Sequence, residues 1–327
     1  MEKALLYSGE LNDYFIGRDY NYVRPYSIVN NKDTVFITSG IQPILRDYRE
    51  GKLENEKKIY VPQPVIRTKT LDRVEEGMSV AFVNPTLASF NISEEEYRRT
   101  VNDFIDLLRE KGLSKDNIGM RDKDYERVWG DLLVSGKKTF YYYNDIELGD
   151  STFFTSVTKD GKKIGIDTMS DLGFGLERLR WCVNNDSYFN LYSDKTDLCD
   201  EIKVYLSALA LLAVNDVYPS NKNTGYRTRM FSKKLVDILD GHLLSKVQEE
   251  YLLECIDYWK DWQNREDDVD ILMIENEYIR NSNRYIINQL ISEGYPDLAG
   301  IVINVPRDEF KKRLLSANVP KSRVSKI

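Results

Sequence analysis

Two arginines and two carboxylates stand where they could do chemistry on phosphorus. Arg67 closes an extended run, Lys58-Ile-Tyr-Val-Pro-Gln-Pro-Val-Ile-Arg67, and Arg178 opens a helix after Asp171-Leu-Gly-Phe-Gly-Leu-Glu-Arg178. An arginine in a first helical turn is locally out of place, because that end already carries positive potential. It fits if Arg178 faces an anion, such as a polyphosphate, that both positive sources share. Gly173 and Gly175 remove side chains where something must approach the backbone. Arg67 and Arg178 come from separate elements and could clamp a phosphate chain from two sides, which suits in-line displacement at phosphorus. Glu147 and Asp150, on a strand between them, could hold magnesium with the phosphates, since that ion needs few carboxylates. The plainer alternative is a tight strand-to-helix turn with surface or ion-paired charges. Spacing alone does not separate the two.

A second concentration of basic residues follows a Pro/Asn/Gly loop, from Tyr218 to Lys234. Interleaved Tyr226 and Phe231 suit an RNA backbone and its minor groove. A basic helix face balanced by acidic residues elsewhere fits equally well.

Composition narrows the classes. The chain has 327 residues and a net charge of -7, so a nucleic-acid contact has to come from a local patch and not from the overall field. Its one histidine, His242, excludes a histidine metal cluster. Cys182, Cys199 and Cys255 are odd in number and widely spaced, which argues against disulfides and a zinc knuckle; each reads as a small buried residue. The most apolar run, Val204 to Val214, is too short to span a membrane and reads as a core helix. With no long apolar leader at the amino terminus, the expectation is a cytoplasmic protein with neither a membrane nor a DNA partner.

The elements that must position these groups are read in order. Residues 8–20 are weakly helical, Arg24-Pro25-Tyr26 is a break, and Asp33 to Ser39 alternates like a strand. Residues 43–58, with mixed charges, read as a solvated connection. Lys58 to Arg67 is extended, and its two prolines place it at a sheet edge or strand entry. Residues 72–78 read as a loop and Val80 to Phe90 as a returning strand. Ser93 and Glu96 form a capping box for a helix to Lys111, with Tyr97, Val101, Phe104 and Leu108 on its apolar face. Strands follow at 138–143, 146–157 and 163–168, with a hairpin turn at Lys159-Asp-Gly-Lys162. Beyond 186–196, taken as the domain boundary, helices are expected at 200–214, 229–240, 246–262 and 270–292, with a short strand at 300–305. The fold class is α+β: an antiparallel sheet flanked by helices, then an all-helical domain.

Taken together, these segments resemble the amino-terminal half of alanyl-tRNA synthetase, a class II aminoacyl-tRNA synthetase. Tyr22 to Gly40 resembles the family's first motif. Gln63-Pro-Val-Ile-Arg67 resembles the second-motif strand, whose arginine contacts the ATP α-phosphate in the family. Asp171-Leu-Gly-Phe-Gly-Leu-Glu-Arg178 is similar to the third motif, normally Asp-Thr-Gly-Met-Gly-Leu-Glu-Arg; its arginine binds the γ-phosphate end and its aspartate the ammonium group of the amino acid. Pro219-Ser-Asn-Lys-Asn-Thr-Gly-Tyr-Arg-Thr-Arg229 resembles a segment that approaches the tRNA acceptor stem. The resemblance implies a class II catalytic domain at 1–190 and tRNA-recognition-like helices at 191–327. It implies ATP and Mg2+ at Arg67, Glu147, Gly173, Gly175 and Arg178. An amino acid would sit at Asp150, Thr152 and Asp171, and tRNA at Asn221, Asn223, Arg227 and Arg229.

Departures accompany the resemblance. Ala81-Phe-Val-Asn-Pro-Thr-Leu-Ala-Ser-Phe-Asn91 lacks the arginine, both histidines and the glutamate that help the family hold ATP. Ile146-Glu-Leu-Gly-Asp-Ser-Thr-Phe-Phe has Gly149 for tryptophan, Asp150 for asparagine and Thr152 for valine, implying a roomier, more polar and more negative pocket. The family's editing and carboxy-terminal domains have no counterpart in the 327 residues. A core without editing suits a specialised role better than housekeeping translation. The expected activity is formation of an aminoacyl-adenylate and transfer to tRNA. Alternatives are an amide ligase acting on a small amine or carrier protein, and a non-catalytic regulator that binds tRNA or a synthetase.

Overall fold

The computed structural model describes residues 8–29, 35–53, 57–68, 79–184 and 197–327. The chain forms two compact units, one of Met1–Leu191 with Asp261–Arg265 and one of Tyr192–Lys260 with Glu266–Ile327. The expected boundary at 186–196 and loop at 72–78 lie outside the described residues.

The first unit is an eight-stranded sheet flanked by helices. Its elements are α1 (Ser8–Ile16), β1 (Asn21–Tyr22), α2 (Ile41–Arg49), β2 (Lys58–Ile66), β3 (Ala81–Phe90) and α3 (Glu94–Glu110). They continue as β4 (Ile118–Trp129), β5 (Leu132–Tyr143), β6 (Ile146–Lys159), β7 (Lys162–Lys163), β8 (Met169–Phe174) and α4 (Leu176–Asn184). The strand order is β1-β2-β3-β8-β6-β5-β4, with β7 paired to β6. Among the described residues only β1 and β2 run parallel. Turns with two left-handed residues, Asn144-Asp145 and Asp160-Gly161, close two of the hairpins, the backbone that matches the twist of paired strands.

Alternation along the strands gives the sheet two unlike faces. On one lies α3, held at its start by the Ser93–Glu96 capping box. Its Tyr97 stacks on Phe153 and bonds Ser151 at 2.6 Å, while Phe104 packs on Tyr141 and Phe174. On the other, α2 buries Ile41, Ile44 and Leu45 against Ile59, Val61, Ala88, Phe90, Phe154 and Met169. One step along the same strands, that face turns polar: Thr86 precedes Ala88, Thr152 precedes Phe154, and Asp171 follows Met169, each by two residues.

Several expectations are corrected. Residues 43–58 are not simply a solvated connection, because every third or fourth side chain from Ile41 to Leu45 is apolar enough to build α2. Of the strand expected at 33–39, residues 33 and 34 lie outside the described set, and the rest contributes one bridge, Phe36 to Val29. The strand expected at 163–168 is displaced: β8 is the glycine motif itself, so Gly173 lies within a strand and Gly175 is the junction to α4. The highly charged β4 was not anticipated, because an edge strand exposed on both faces shows no apolar alternation. Cys199 is exposed and Cys182 half-buried; only Cys255 is buried.

The second unit is helical: α5 (Asp200–Val214), α6 (Asn223–Ile238), most of α7 (Lys246–Gln263), α8 (Leu272–Ser292), α9 (Arg307–Ser316) and α10 (Lys321–Val324). Nearly every side chain of α5 is buried, as its continuous apolar run implies. Helix α6 begins six residues before the expected Arg229, and the strand expected at 300–305 does not form; Pro296–Gly300 is a 3-10 turn leading into irregular chain. Among the described residues no helix is long and apolar enough to cross a membrane.

Candidate functional site

Gly175 is the whole connection between β8 and α4, and its N–H donates to the Leu148 carbonyl at 2.9 Å. The fully buried Glu177 accepts the Val83 N–H on both carboxylate oxygens, at 3.0 and 3.1 Å. The first turn of α4 is thereby tied to β6 on one side and β3 on the other. Arg178 is aimed by that turn, and its Nη1 donates to the Glu147 carbonyl at 2.8 Å. A Cβ on residue 175 would stand 3.8 Å from the Arg178 stem, so the glycine leaves room beside the arginine.

Arg67 continues from β2 into the same recess, whose walls include Glu147, Asp150, Gly173, Gly175 and Arg178. Its Nε donates to the Thr38 carbonyl at 2.8 Å, and its guanidinium lies 4.9 Å from the centre of the Phe82 ring. The side chain keeps an open edge to solvent yet is crowded on its other sides. Desolvation lowers its pKa and neighbouring Arg178 adds to that, while Asp150 pulls it back up. Two arginines that feel each other's charge in one recess are arranged to receive an anion. Phe82 escaped sequence reading, because only the β2–β3 register, with Val65 opposite it, brings it beside Arg67.

Deeper on the same face lies a row set by register: Lys138 of β5 opposite Thr152 of β6, and Thr152 opposite Asp171 of β8. Burial raises the Asp171 carboxyl to a pKa of about 7, reinforced by Asp150 and opposed by Lys138 and Arg67. Its Oδ1 is buried and has no hydrogen-bond partner among the described residues. Asp150 is engaged, its Oδ1 lying 2.5 Å from Lys138 Nζ. Lys138 was missed in the sequence; the adjacent pair Lys137-Lys138 puts one lysine on each face, and register decides which one meets the site. Thr152 is almost wholly buried beneath them.

The roomier pocket expected from Gly149 needs a correction. A Cβ there would fall 2.3 Å from the Gly173 carbonyl oxygen and 2.6 Å from Phe174 Cα. The space beside Gly149 is therefore filled by the backbone of β8. What distinguishes the pocket is charge: Asp150, Asp171 and Lys138 together.

Among the described residues, no three Asp, Glu, His or Cys side chains gather in a way that could hold a metal ion. A cage made by protein groups alone does not fit this recess. Magnesium arriving with phosphate oxygens needs few carboxylates, and Glu147 is among the residues that line the recess.

The segment from 217 to 238 folds back on itself within the second unit. Thr228 donates to the Val217 carbonyl at 2.9 Å, and a Cβ on Gly225 would fall 2.2 Å from the Tyr218 carbonyl oxygen. Asn221 and Asn223 are exposed, and Arg227 lies over the exposed Tyr226 ring. Arg229 is committed internally: it donates to Asn221 Oδ1, and its Nε is 3.5 Å from the buried Glu277. All four residues expected at tRNA present some surface to solvent, and Arg229 also faces the buried Glu277.

No protein-family model matches the chain, and no curated protein sequence does. Among solved structures, it is similar to a pyrrolysyl tRNA synthetase, PylSc, from Desulfitobacterium hafniense. That match has 15% identity, covers 58% of this chain and 70% of the other, and has a TM-score of 0.38.

Proposed function

We propose that this protein activates an amino acid with ATP and passes the acyl group to an acceptor, with tRNA as the favoured acceptor. The amino acid's carboxylate oxygen bonds the α-phosphorus as the bond to pyrophosphate breaks. The acceptor's hydroxyl then attacks the carbonyl carbon and AMP leaves. No protein nucleophile is required, because orientation and charge stabilisation carry both steps. The observation that supports this reading is the single recess that holds Arg67 and Arg178 beside Glu147 and Asp150.

In this reading Arg67 and Arg178 neutralise phosphate oxygens, and Glu147 contributes to magnesium held by those phosphates, which further offsets their charge. Asp171 offers its unpartnered oxygen to the ammonium group of the amino acid. Lys138 restrains Asp150 and leaves Asp171 to meet the amino acid, so the pocket favours a small or polar amino acid over a purely apolar one. Asn221, Asn223, Arg227 and Arg229 remain the proposed tRNA contacts, the proposed setting is cytoplasmic, and a specialised role fits the departures in β3 and β6 from the resembled family.

A non-catalytic reading draws on β3, whose recess-facing residues Phe82, Asn84 and Thr86 carry no charge. Pyrophosphate exchange across a panel of amino acids, with and without tRNA, separates the two. Exchange with at least one amino acid is expected, strongest for small or polar ones. Absence of exchange with every amino acid, in protein shown to be folded, rejects the enzyme reading.

A further inference from the structure

The unanticipated edge strand β4 sorts its charges by face. In the β4–β5 register Lys123 lies opposite Lys138 and Arg121 opposite Phe140. The next pairings carry those rows into the candidate site: Lys138 to Thr152 to Asp171, and Phe140 to Asp150 to Gly173. Residues opposite one another in an antiparallel pair share a face, so Arg121, Lys123, Tyr125 and Arg127 stand on the face of the recess. Asp122, Asp124 and Glu126 stand on the other. An edge strand needs charge to resist pairing with other chains, but mixed signs in any order would do that. Segregation by face asks for a second reason.

Three features of the recess face point to its partner. Arg121, Lys123 and Arg127 are exposed and make no ion pair among the described residues, in a chain whose net charge is -7. Aromatic rings stand among them: Arg121 lies 5.5 Å from the Tyr142 ring, and Lys138 lies 5.1 and 5.5 Å from Tyr125 and Phe140. Phe140 and Tyr142 are half-exposed, so their faces are open to stacking. The strip also runs into the recess, since Phe140 is opposite Asp150 and Tyr142 opposite Glu147.

We propose that this face of the β4–β5 hairpin binds single-stranded RNA, with phosphates on Arg121, Lys123 and Arg127 and bases against Phe140 and Tyr142. The proposal rests on the acyl-transfer reading above and gives it a path by which an acceptor end reaches the recess. Basic side chains interleaved with aromatic rings hold single strands with little sequence preference, because every base has a stacking face. An acidic peptide would use the cations but has no need of the rings.

Fluorescence anisotropy of the full chain with a labelled single-stranded RNA of roughly ten nucleotides tests this directly. Saturable binding is expected, weakening steeply with salt. Arg121→Glu with Lys123→Glu should weaken it at least about tenfold and flatten the salt dependence by about two phosphate contacts. Arg121→Gln with Lys123→Gln should give a smaller loss in the same direction, and Asp124→Asn on the opposite face should leave RNA affinity unchanged. No binding by the native chain at low salt, or equal binding by the glutamate variant, overturns the proposal. So does tighter binding of a polyglutamate peptide than of RNA on the same residues. The measurement uses neither ATP nor amino acid, so it can fail while pyrophosphate exchange succeeds, and the reverse.

Discussion

The recess of the first unit and the α6–α8 contact of the second both gather charge, and they treat it in opposite ways. In the second unit, the buried Glu277 is shared by Arg229 and Arg280, while Asn281 bridges it to Ser232. The Glu277 carboxylate is answered by three side chains, and its charge is spent within the fold. In the recess, Lys138 satisfies Asp150, but Asp171 keeps a buried oxygen without a partner and Arg67 has its pKa lowered by desolvation and by Arg178. A closed charge network holds a fold together; an open one is completed from outside. Basic residues at sequence level looked alike in both places, and only the positions of the carboxylates tell them apart.

That contrast can be broken at its strongest point first. Arg178→Ala should reduce pyrophosphate exchange by about 10²–10³-fold with little change in the unfolding midpoint, since the arginine faces the recess. A native exchange rate would remove Arg178 from the site. Glu277→Ala should do the reverse and cost about 3 kcal/mol of stability by denaturant unfolding, because it leaves two arginines without their shared carboxylate. An unchanged midpoint would mean the network is not closed.

The glycines sharpen the comparison further. Gly149→Ala forces a methyl group onto the β8 backbone and should cost about 2 kcal/mol, while Gly175→Ala meets nothing closer than 3.8 Å and should cost less than about 1 kcal/mol. Equal costs would contradict the close approach of β6 to β8.

A pH-dependent effect concerns Asp171. Its folded pKa of about 7 exceeds the ordinary carboxyl value near 4, so the native state holds the proton more tightly than the unfolded one. Its contribution is fully present below about pH 4 and is lost as pH rises through 7. Relative to Asp171→Asn, the native chain should lose on the order of 3 kcal/mol between those limits. Denaturant midpoints of the two proteins that stay parallel across this range would show that the carboxyl is not desolvated.

Sequence carried the sheet and its helices a long way, because the capping box before α3 and the apolar run of α5 are local signals. It also brought Arg67, Glu147, Asp150, Gly173, Gly175 and Arg178 into one expected group, and all six line the recess. What it missed is set by register. Lys138 and Phe82 become site residues only through the strands opposite them, and the two charge faces of β4 exist only once its pairing is known. The space expected at Gly149 failed for the same reason, since a missing side chain is no cavity where a neighbouring backbone fills it.

The place of β8 in the sheet has a consequence for how the site comes into being. It is the last of the eight strands in the chain, yet it lies between β3 and β6, with Gly173 opposite both Thr86 and Asp150. The β4–β5 and β5–β6 hairpins close over short turns, whereas β8 joins β3 to β6 from segments distant in sequence, a step with a larger loop-entropy cost. Asp171, Gly173 and, through Gly175, Arg178 all ride on that one strand. The recess is consequently complete only when the two halves of the sheet are joined by the strand that carries its chemistry.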